Sequence, residues 1–199
     1  MYIPEPFKVA NTTHIDSEDV RSFIEENAFG QLISQVEGRP FSSHLPFLLS
    51  DDTQHLVCHV AKQNPQWESI QGQEVLITLQ GSHAYISPSW YERPGVPTWN
   101  YQAVHIYGVC QVFHDVDKLR HLVDALTQKF ESEQANPWKP SYSQSMLQAI
   151  VGIEVSISEV QCKFKLNQNR SETDRAQVRQ KLRDQGATSL AEAMRKIDA

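Results

Sequence analysis

Short segments in which apolar residues alternate with polar ones follow one another along much of this chain, and this pattern constrains the fold more than any other feature. The segment FGQLISQVEG, residues 29–38, alternates through Leu32, Ser34 and Val36, and Glu37-Gly38-Arg39 is typical of a hairpin turn. Further strands are predicted at 39–52, 54–62 and 74–81. Because strands and helices hardly alternate, the order predicts a mainly β, α+β fold: an antiparallel barrel, not a parallel sheet.

Proline and histidine positions restrict two of these strands. Pro46 lies inside the segment 39–52, and proline cannot donate to a ladder, so we expect that strand at an edge or unpaired at Pro46. His55 and His59 are four residues apart, which on a helix would form a metal pair. On a strand they are about 13 Å apart and cannot share an ion. The sequence therefore predicts no metal site at this pair.

Helical spacing appears in separate segments. Asp16 is the expected N-cap of a first helix with Val20, Phe23 and Ile24 on one face. Asn64 before Pro65 is a strong helix start, and the neighbouring Lys62 indicates either plain capping or a small anion site.

Later helices are predicted at 115–134, at 143–150 and twice after residue 170. The first is capped by Asp115 or Asp117 and has an apolar stripe of Leu119, Leu122, Val123, Leu126 and Phe130. The last two are capped by Ser171 and by Ser189, the latter in a capping box with Glu192. Two prolines in MYIPEPF, residues 1–7, predict an extended arm.

Composition describes a soluble, single-domain protein. Hydrophobic residues make up 40% and charged residues 21% of the 199 residues, which is typical of a globular chain that buries a substantial core. No apolar run reaches the roughly 18 residues of a membrane span, and the first residues do not form a signal peptide. The three cysteines are far apart, so we expect neither structural zinc nor disulfides, and a cytoplasmic location.

Charge is unevenly distributed along the chain. The net charge of the chain is −6. From Lys163 onward there are nine Lys and Arg and five Asp and Glu, a net charge of +4. The first 162 residues contain nine Lys and Arg and nineteen Asp and Glu, a net charge of −10. This balance argues against a chain-wide nucleic-acid surface. Any DNA contact would have to come from a cluster of basic residues near one helix: Arg170, Arg175, Arg179, Lys181 and Arg183. A helix face exposed to solvent is the preferred explanation of these charges.

Large side chains with polar tips concentrate in the stretch Gly81–Gly108. It contains two of the four Trp and four of the six Tyr, together with His83 and His105. Such side chains stack on and hydrogen-bond a flat polar ligand. A half-buried hairpin with an aromatic face is an equally good interpretation of this stretch alone.

Polar residues gather where the predicted strands end. They form three clusters, Ser43-His44, Lys62-Gln63-Asn64, and Lys165 with Asn167-Gln168-Asn169-Arg170. Each alone is explained by a solvated turn. Together with the aromatic stretch they supply phosphate donors, amides and stacking surfaces, which suit a phosphorylated aromatic cofactor such as FMN, and we find no Walker or Rossmann glycine motif.

Several long strings resemble one known family. They are MYIPEPF, SSHLPFLL, HVAKQNPQW, HAYISPSWY, VPTWNYQAVHIYG, AIVGIEV and KLNQNR, and they cover nearly the whole chain. The chain resembles the PaiB family of FMN-binding split-barrel proteins, known as negative transcriptional regulators of protease synthesis and sporulation. It departs from the family pattern in a short ERPG loop, in Cys58 in place of Gly, and in Asn167 in place of Ser.

The resemblance implies a split β-barrel over residues 1–170, a helical extension over 171–199 packed on the same domain, and a homodimer with FMN at the subunit interface. It places Lys62, Gln63 and Asn64 near the phosphate and Ser43-His44 along the isoalloxazine. Trp99, Asn100, Tyr101 and His105 are expected from one side of the interface, with a closing set of Lys165, Gln168, Asn169 and Arg170.

Three functions are compatible with these residues. The resemblance favours an FMN-binding transcriptional regulator, with no catalytic residue to nominate. The alternative is an FMN-dependent oxidoreductase acting on a small molecule, in which the flavin performs the redox chemistry and His44 and His105 are the candidate acid or base groups. A weaker third interpretation is haem handling, although none of the eight histidines stands out as an axial ligand.

Overall fold

A computed structural model describes residues 1–197 of the chain. Within these residues the strands are β1 (Lys8–Thr12), β2 (Phe29–Val36), β3 (Arg39–Pro46), β4 (Leu48–Leu49), β5 (His55–Ala61), β6 (Glu74–Ile86), β7 (Thr98–Phe113) and β8 (Ile150–Lys165). The helices are α1 (Glu18–Glu26), α2 (Gln66–Ser69), α3 (Val116–Glu131), α4 (Gln144–Gln148), α5 (Glu172–Asp184) and α6 (Thr188–Lys196). None of the described helices is long and apolar enough to span a membrane.

The strands form one sheet in the order β3-β2-β6-β7-β8-β5-β4, and β1 pairs with β8. The pairs β2–β3, β2–β6, β4–β5 and β5–β8 are antiparallel. Among the described residues β3 and β4 are the two ends of this order, so the sheet is not closed. Pro46 is the last residue of β3, which confirms the expected edge position, because an edge strand tolerates the missing donor.

The β2–β3 hairpin turns at the predicted residues. Val36 pairs with Arg39, so Glu37 and Gly38 form a two-residue loop, and both have positive φ, at 50° and 74°. Two successive positive φ values define the turn that matches the twist of the flanking strands. The turn fixes the register that places Ser43 opposite Leu32 and His44 opposite Gln31.

The chain divides into two compact units. The hairpin unit comprises Thr12–Leu79 and Ile106–Val160, and the tail unit comprises Met1–Asn11, Gln80–His105 and the residues from Gln161 onward. Fully buried aliphatic side chains from several strands fill the hairpin unit, among them Leu32, Leu56, Ile77, Ile106 and Ile153. In the tail unit the buried side chains include Ile86, Leu166, Val178, Leu182 and Leu190.

Most predicted helices are confirmed, and two of their caps are corrected. Ser17, not Asp16, caps α1, because its Oγ accepts the backbone N–H of Val20 at 3.3 Å. Asp115 and Ser171 cap α3 and α5 as predicted. The cap of α6 is Ala187, so the capping box of Ser189 with Glu192 is wrong. Glu192 instead pairs with Arg195.

Two further expectations are corrected near the ends of elements. Phe130 does not belong to the buried stripe of α3, because it lines an open cleft with Glu25 and Glu133 and is 48% exposed. The N-terminal arm is not extended throughout. Glu5–Phe7 form a 3-10 turn, and the β1 strand that follows was not predicted.

Glycine at position 108 is required by close packing inside the hairpin unit. A Cβ there would lie 2.3 Å from the carbonyl oxygen of Ser156 and 2.6 Å from Cγ1 of Val155. We expect Gly108→Ala to lower the free energy of unfolding by about 1–3 kcal/mol, because backbone has to move to admit the methyl group. Urea unfolding measures this. Val109→Ala, at an exposed neighbouring position, is the control, and an equal loss in both variants would contradict the packing argument.

Candidate functional site

Polar residues of the hairpin unit meet at the end of β5. We call Lys62, Gln63 and Asn64 the Lys62 loop. Asn64 Nδ2 donates to Ser43 Oγ at 2.8 Å, and its Oδ1 accepts the backbone N–H of Gln66 at 2.9 Å. The predicted helix is present as α2, but its N-cap is Pro65 and not Asn64. Asn64 still accepts the first helical N–H, and the same side chain ties the loop to β3.

Gln66 completes a ring of hydrogen bonds beneath this loop. Its side chain is fully buried, and its Nε2 donates to the carbonyl oxygen of Leu32 at 3.1 Å and to Ser34 Oγ at 2.9 Å. Because Leu32 pairs with Ser43 across β2 and β3, the contacts run from β2 to β3, to Asn64, to Gln66 and back to β2. The Lys62 loop is thus held against the hairpin by side-chain amides.

The Lys62 loop offers donors to a phosphate. The Lys62 side chain is exposed, and no carboxylate pairs with it in the described part of the chain. The loop backbone is anchored because the Lys62 N–H donates to Ala149 and its carbonyl accepts Trp67 Nε1–H at 2.9 Å. Ser43 Oγ accepts from Asn64, so the hydroxyl hydrogen is left to donate. An ammonium and a hydroxyl donor beside an anchored loop fit a phosphate group.

Ser43 and His44 lie on opposite faces of β3. Ser43 contacts Asn64, whereas His44 stacks on Phe29 with ring centroids 6.4 Å apart. Successive side chains of a strand point to opposite sides, so these two adjacent predicted residues are not brought together. The Phe29 ring is 63% exposed, and the pair forms an open aromatic spot on the outer face of the hairpin.

Exposed rings of the tail unit form a second group. We call His83, Tyr85 and Trp99 the aromatic face. Trp99 is 54% exposed, and its ring lies 6.1 Å from Tyr85 and 6.4 Å from His83, centroid to centroid. The rings come from β6 and β7, the two arms of the hairpin predicted for Gly81–Gly108. The exposed surface of these three rings is suited to stacking on a flat ligand.

Two lysines of β8 belong to the tail unit. Lys165 Nζ donates to Thr98 Oγ1 and to the carbonyl oxygen of Trp99 at 2.6 Å. Lys163 Nζ donates to the carbonyl oxygen of Tyr2 at 3.0 Å and lies 5.4 Å from the centroid of the Tyr101 ring. Burial, and secondly the charge of Lys163, lower the pKa of Lys165. Both ammonium groups donate to neutral oxygens.

Other predicted residues of the tail unit are occupied by structural contacts. Asn100 is fully buried and donates to Met194 Sδ at 3.6 Å, so it points away from Trp99. Gln168 bonds the backbone of Leu166 and Phe164. Arg170 lies 4.2 Å over the ring of Tyr91, and the side chain of Asn169 is exposed. These four residues do not share one surface in the tail unit.

Two histidines, His59 of β5 and His105 of β7, have pKa values below the ordinary value of histidine. Burial lowers the pKa of His105 and of His59 below the ordinary histidine value. His59 lies on β5, and its Nδ1 is buried without a partner in the described chain. Both imidazoles are therefore neutral at pH 7.

Some residues of these groups were not predicted from sequence. Gln66 gave no signal, because a polar residue early in a short helix is usually solvated. His83 and Tyr85 could have been found, since they alternate on β6 as Trp99 and Tyr101 do on β7. Lys163 and Lys165 likewise lie two residues apart on β8.

Comparison with solved structures shows which proteins share this fold. The flavocytochrome Anf3 from Azotobacter vinelandii has a TM-score of 0.63 at 16% identity, covering 83% of this chain and 74% of that chain. The FAD and heme binding protein from Mycobacterium smegmatis has a TM-score of 0.62 at 17% identity, covering 83% and 78%. With the open antiparallel sheet, these similarities confirm the split-barrel fold of flavin-binding proteins.

Comparison of sequences identifies the family. A family model described as "Putative FMN-binding domain" matches residues 1–159. Protease synthase and sporulation protein PAI 2 of Bacillus subtilis is 40% identical over 205 residues, which cover 98% of this chain and 96% of that protein. The chain belongs to the PaiB family of FMN-binding proteins. FMN, the cofactor predicted from the sequence, is the cofactor that this family's description names.

The neutral state of half-buried His59 predicts a pH-dependent stability. Its folded pKa is lowered and the unfolded value is about 6.5, so below that pH the unfolded chain binds the additional proton. We expect the free energy of unfolding to be unaffected by His59 above about pH 7 and to fall as the pH drops below about 6.5.

Urea unfolding at several pH values between 5 and 8 measures this effect, and the slope is expected to decrease in His59→Gln. His121→Gln, at an exposed position of α3, is the control. An unchanged slope in His59→Gln would contradict the assignment to His59.

Proposed function

We propose that this protein is an FMN-binding transcriptional regulator of the PaiB type that acts as a homodimer with the flavin at the subunit interface. The observation that carries the proposal is the 40% identity to the PAI 2 protein over 98% of the chain. That protein's name refers to protease synthesis and sporulation, which are outcomes of gene regulation. The family assignment and the phosphate donors of the Lys62 loop support the flavin part.

The Lys62 loop would hold the phosphate end of FMN. Lys62 supplies a charge that no described carboxylate neutralises, and hydrogen bonds between an ammonium and a phosphate are stronger than those between neutral groups. Ser43 and Asn64 would lie beside Lys62 and help to orient the phosphate. Gln63, whose side chain is exposed, remains part of the predicted set.

The remaining predicted residues enter the proposal in different ways. Trp99, Tyr101, His105 and Lys165 would contribute to the ring-binding side of the dimer interface, and His44 would do so from the outer face of β3. Asn100, Gln168 and Arg170 would support the site through the structural contacts described above, and Asn169 would remain exposed. Bound FMN supplies reversible electron and hydride chemistry, and the protein's own residues would bind and orient it.

Removing the Lys62 charge tests the phosphate assignment. We expect Lys62→Ala to raise the Kd for FMN about tenfold or more, because a charged hydrogen bond to phosphate is lost. Riboflavin has the same ring without the phosphate, so its Kd should not change. Quenching of flavin fluorescence measures both constants.

Lys139→Ala, which removes an exposed lysine elsewhere in the hairpin unit, is the matched control and should leave both constants unchanged. Equal weakening of FMN and riboflavin in Lys62→Ala would argue against a phosphate contact at Lys62.

Charge separation between the units bears on the regulatory role. The tail unit contains eleven Lys and Arg against seven Asp and Glu, a net +4, whereas the hairpin unit contains seven against seventeen, a net −10. Any direct DNA contact would therefore come from the tail unit, which includes α5 with Lys181 and Arg183 in its last turn. Acidic protein surface elsewhere would repel the phosphates.

Filter binding of duplex DNA over a range of salt concentrations tests direct regulation. If the tail unit binds DNA, the logarithm of affinity should fall linearly with the logarithm of salt concentration, and Lys181→Ala with Arg183→Ala should reduce that slope. Affinity that does not depend on salt, or no affinity, would restrict regulation to an indirect route. Consumption of NAD(P)H by the FMN-loaded protein would instead favour the alternative, an FMN-dependent oxidoreductase acting on a small molecule.

A further inference from the structure

Gln66 occupies an unfavourable position for a purely structural residue. Its side chain is fully buried, and its Oε1 has no hydrogen-bond partner among the described residues. An unpaired buried acceptor lowers stability, whereas an apolar side chain of similar size would avoid that loss. Apolar packing alone therefore does not account for a glutamine here, and the role of its amide lies in the hydrogen bonds that Nε2 donates to β2.

Gln66 connects the Lys62 loop to β2. Its backbone N–H donates to Asn64 Oδ1 at 2.9 Å, and its Nε2 donates to Leu32 and to Ser34. Asn64 in turn donates to Ser43 at 2.8 Å. The Gln66 amide therefore ties the start of α2, beside the Lys62 loop, to β2, and Asn64 ties the loop itself to β3.

We propose that Gln66 is a positioning residue that holds the Lys62 loop in the conformation that recognises the phosphate of FMN. This inference rests on the proposed function, because it assumes that the loop binds the phosphate. Gln66 does not contact the ligand, since it is fully buried. It acts by fixing the position of Asn64, whose Oδ1 accepts the backbone N–H of Gln66 and whose Nδ2 donates to Ser43, and this order reduces the entropy lost when the phosphate binds.

The chain offers a matched control at Gln73. Like Gln66, this glutamine links its own segment to β2 through the backbone: its Oε1 accepts the N–H of Gln35 at 2.9 Å and its Nε2 donates to the carbonyl oxygen of Gln35 at 3.3 Å. Its contacts do not reach the Lys62 loop. Replacing Gln73 therefore reports the effect of losing a comparable structural glutamine in the same unit.

The test compares FMN and riboflavin affinities of the full-length protein by flavin fluorescence. We expect Gln66→Met to raise the Kd for FMN about tenfold while the Kd for riboflavin is unchanged, because hydrogen bonds to a phosphate depend on the loop's position. Gln73→Met should lower stability without changing either constant. The ratio of the two constants is a readout that general destabilisation does not move.

A double variant shows whether Gln66 acts through Lys62. If it does, adding Gln66→Met to Lys62→Ala should cause little further loss of FMN affinity, because interacting residues are not additive. Full additivity would overturn the inference, and so would equal loss of FMN and riboflavin affinity in Gln66→Met. If Gln66→Met does not fold, Ser34→Ala removes one of the two acceptors, and a smaller loss specific to FMN is expected.

The outcomes separate this inference from the proposed function. If the wild-type protein binds FMN no better than riboflavin, the phosphate assignment fails, and the inference fails with it. If the wild-type protein prefers FMN and Lys62→Ala removes that preference while Gln66→Met and Ser34→Ala keep it, the inference alone is overturned.

Discussion

The opposite orientation of neighbouring side chains along each strand is the constraint on which the candidate site depends. A strand places residue i and residue i+1 on different faces of its sheet. Ser43 therefore contacts Asn64 while His44 stacks on Phe29. In the same way Trp99 is exposed while Asn100 is buried beside Met194. Residues adjacent in the sequence consequently serve different surfaces, and residues two apart, such as Lys163 and Lys165, serve the same one.

Side-chain amides hold the Lys62 loop in one conformation. The Lys62 loop follows β5, and its backbone is bonded to Ala149. Asn64 and Gln66 add hydrogen bonds from their side chains, to Ser43 on β3 and to Leu32 and Ser34 on β2. Buried hydrogen bonds of this kind specify one geometry, since any other leaves polar groups unpaired. An ordered loop with an exposed ammonium is the part of the hairpin unit that suits an anionic ligand.

Much of the fold was predictable because its signals are local. The period of two, the turn at Glu37 and Gly38, and the stripe of α3 each depend on residues close in sequence, and the structure confirms them. The caps of α1 and α6 were misassigned because several residues near each helix start are compatible with capping, and the final turn geometry selects among them. The candidate site was less predictable, since Arg170 and Gln168 could equally bind a ligand or make the internal contacts that they make here.

The sequence by itself determined the mainly β fold, the FMN-binding family and the residues with phosphate-binding and stacking chemistry, because composition, spacing and long shared strings are properties of the linear chain. Only the tertiary structure decided which of those residues share a surface. It brought Ser43 into hydrogen-bond contact with Asn64 and buried Asn100. It also placed Gln66, which had no signal in the sequence, beneath the Lys62 loop. The physical reason is that hydrogen bonds and burial between residues 21 or 34 positions apart arise only when the strands pair.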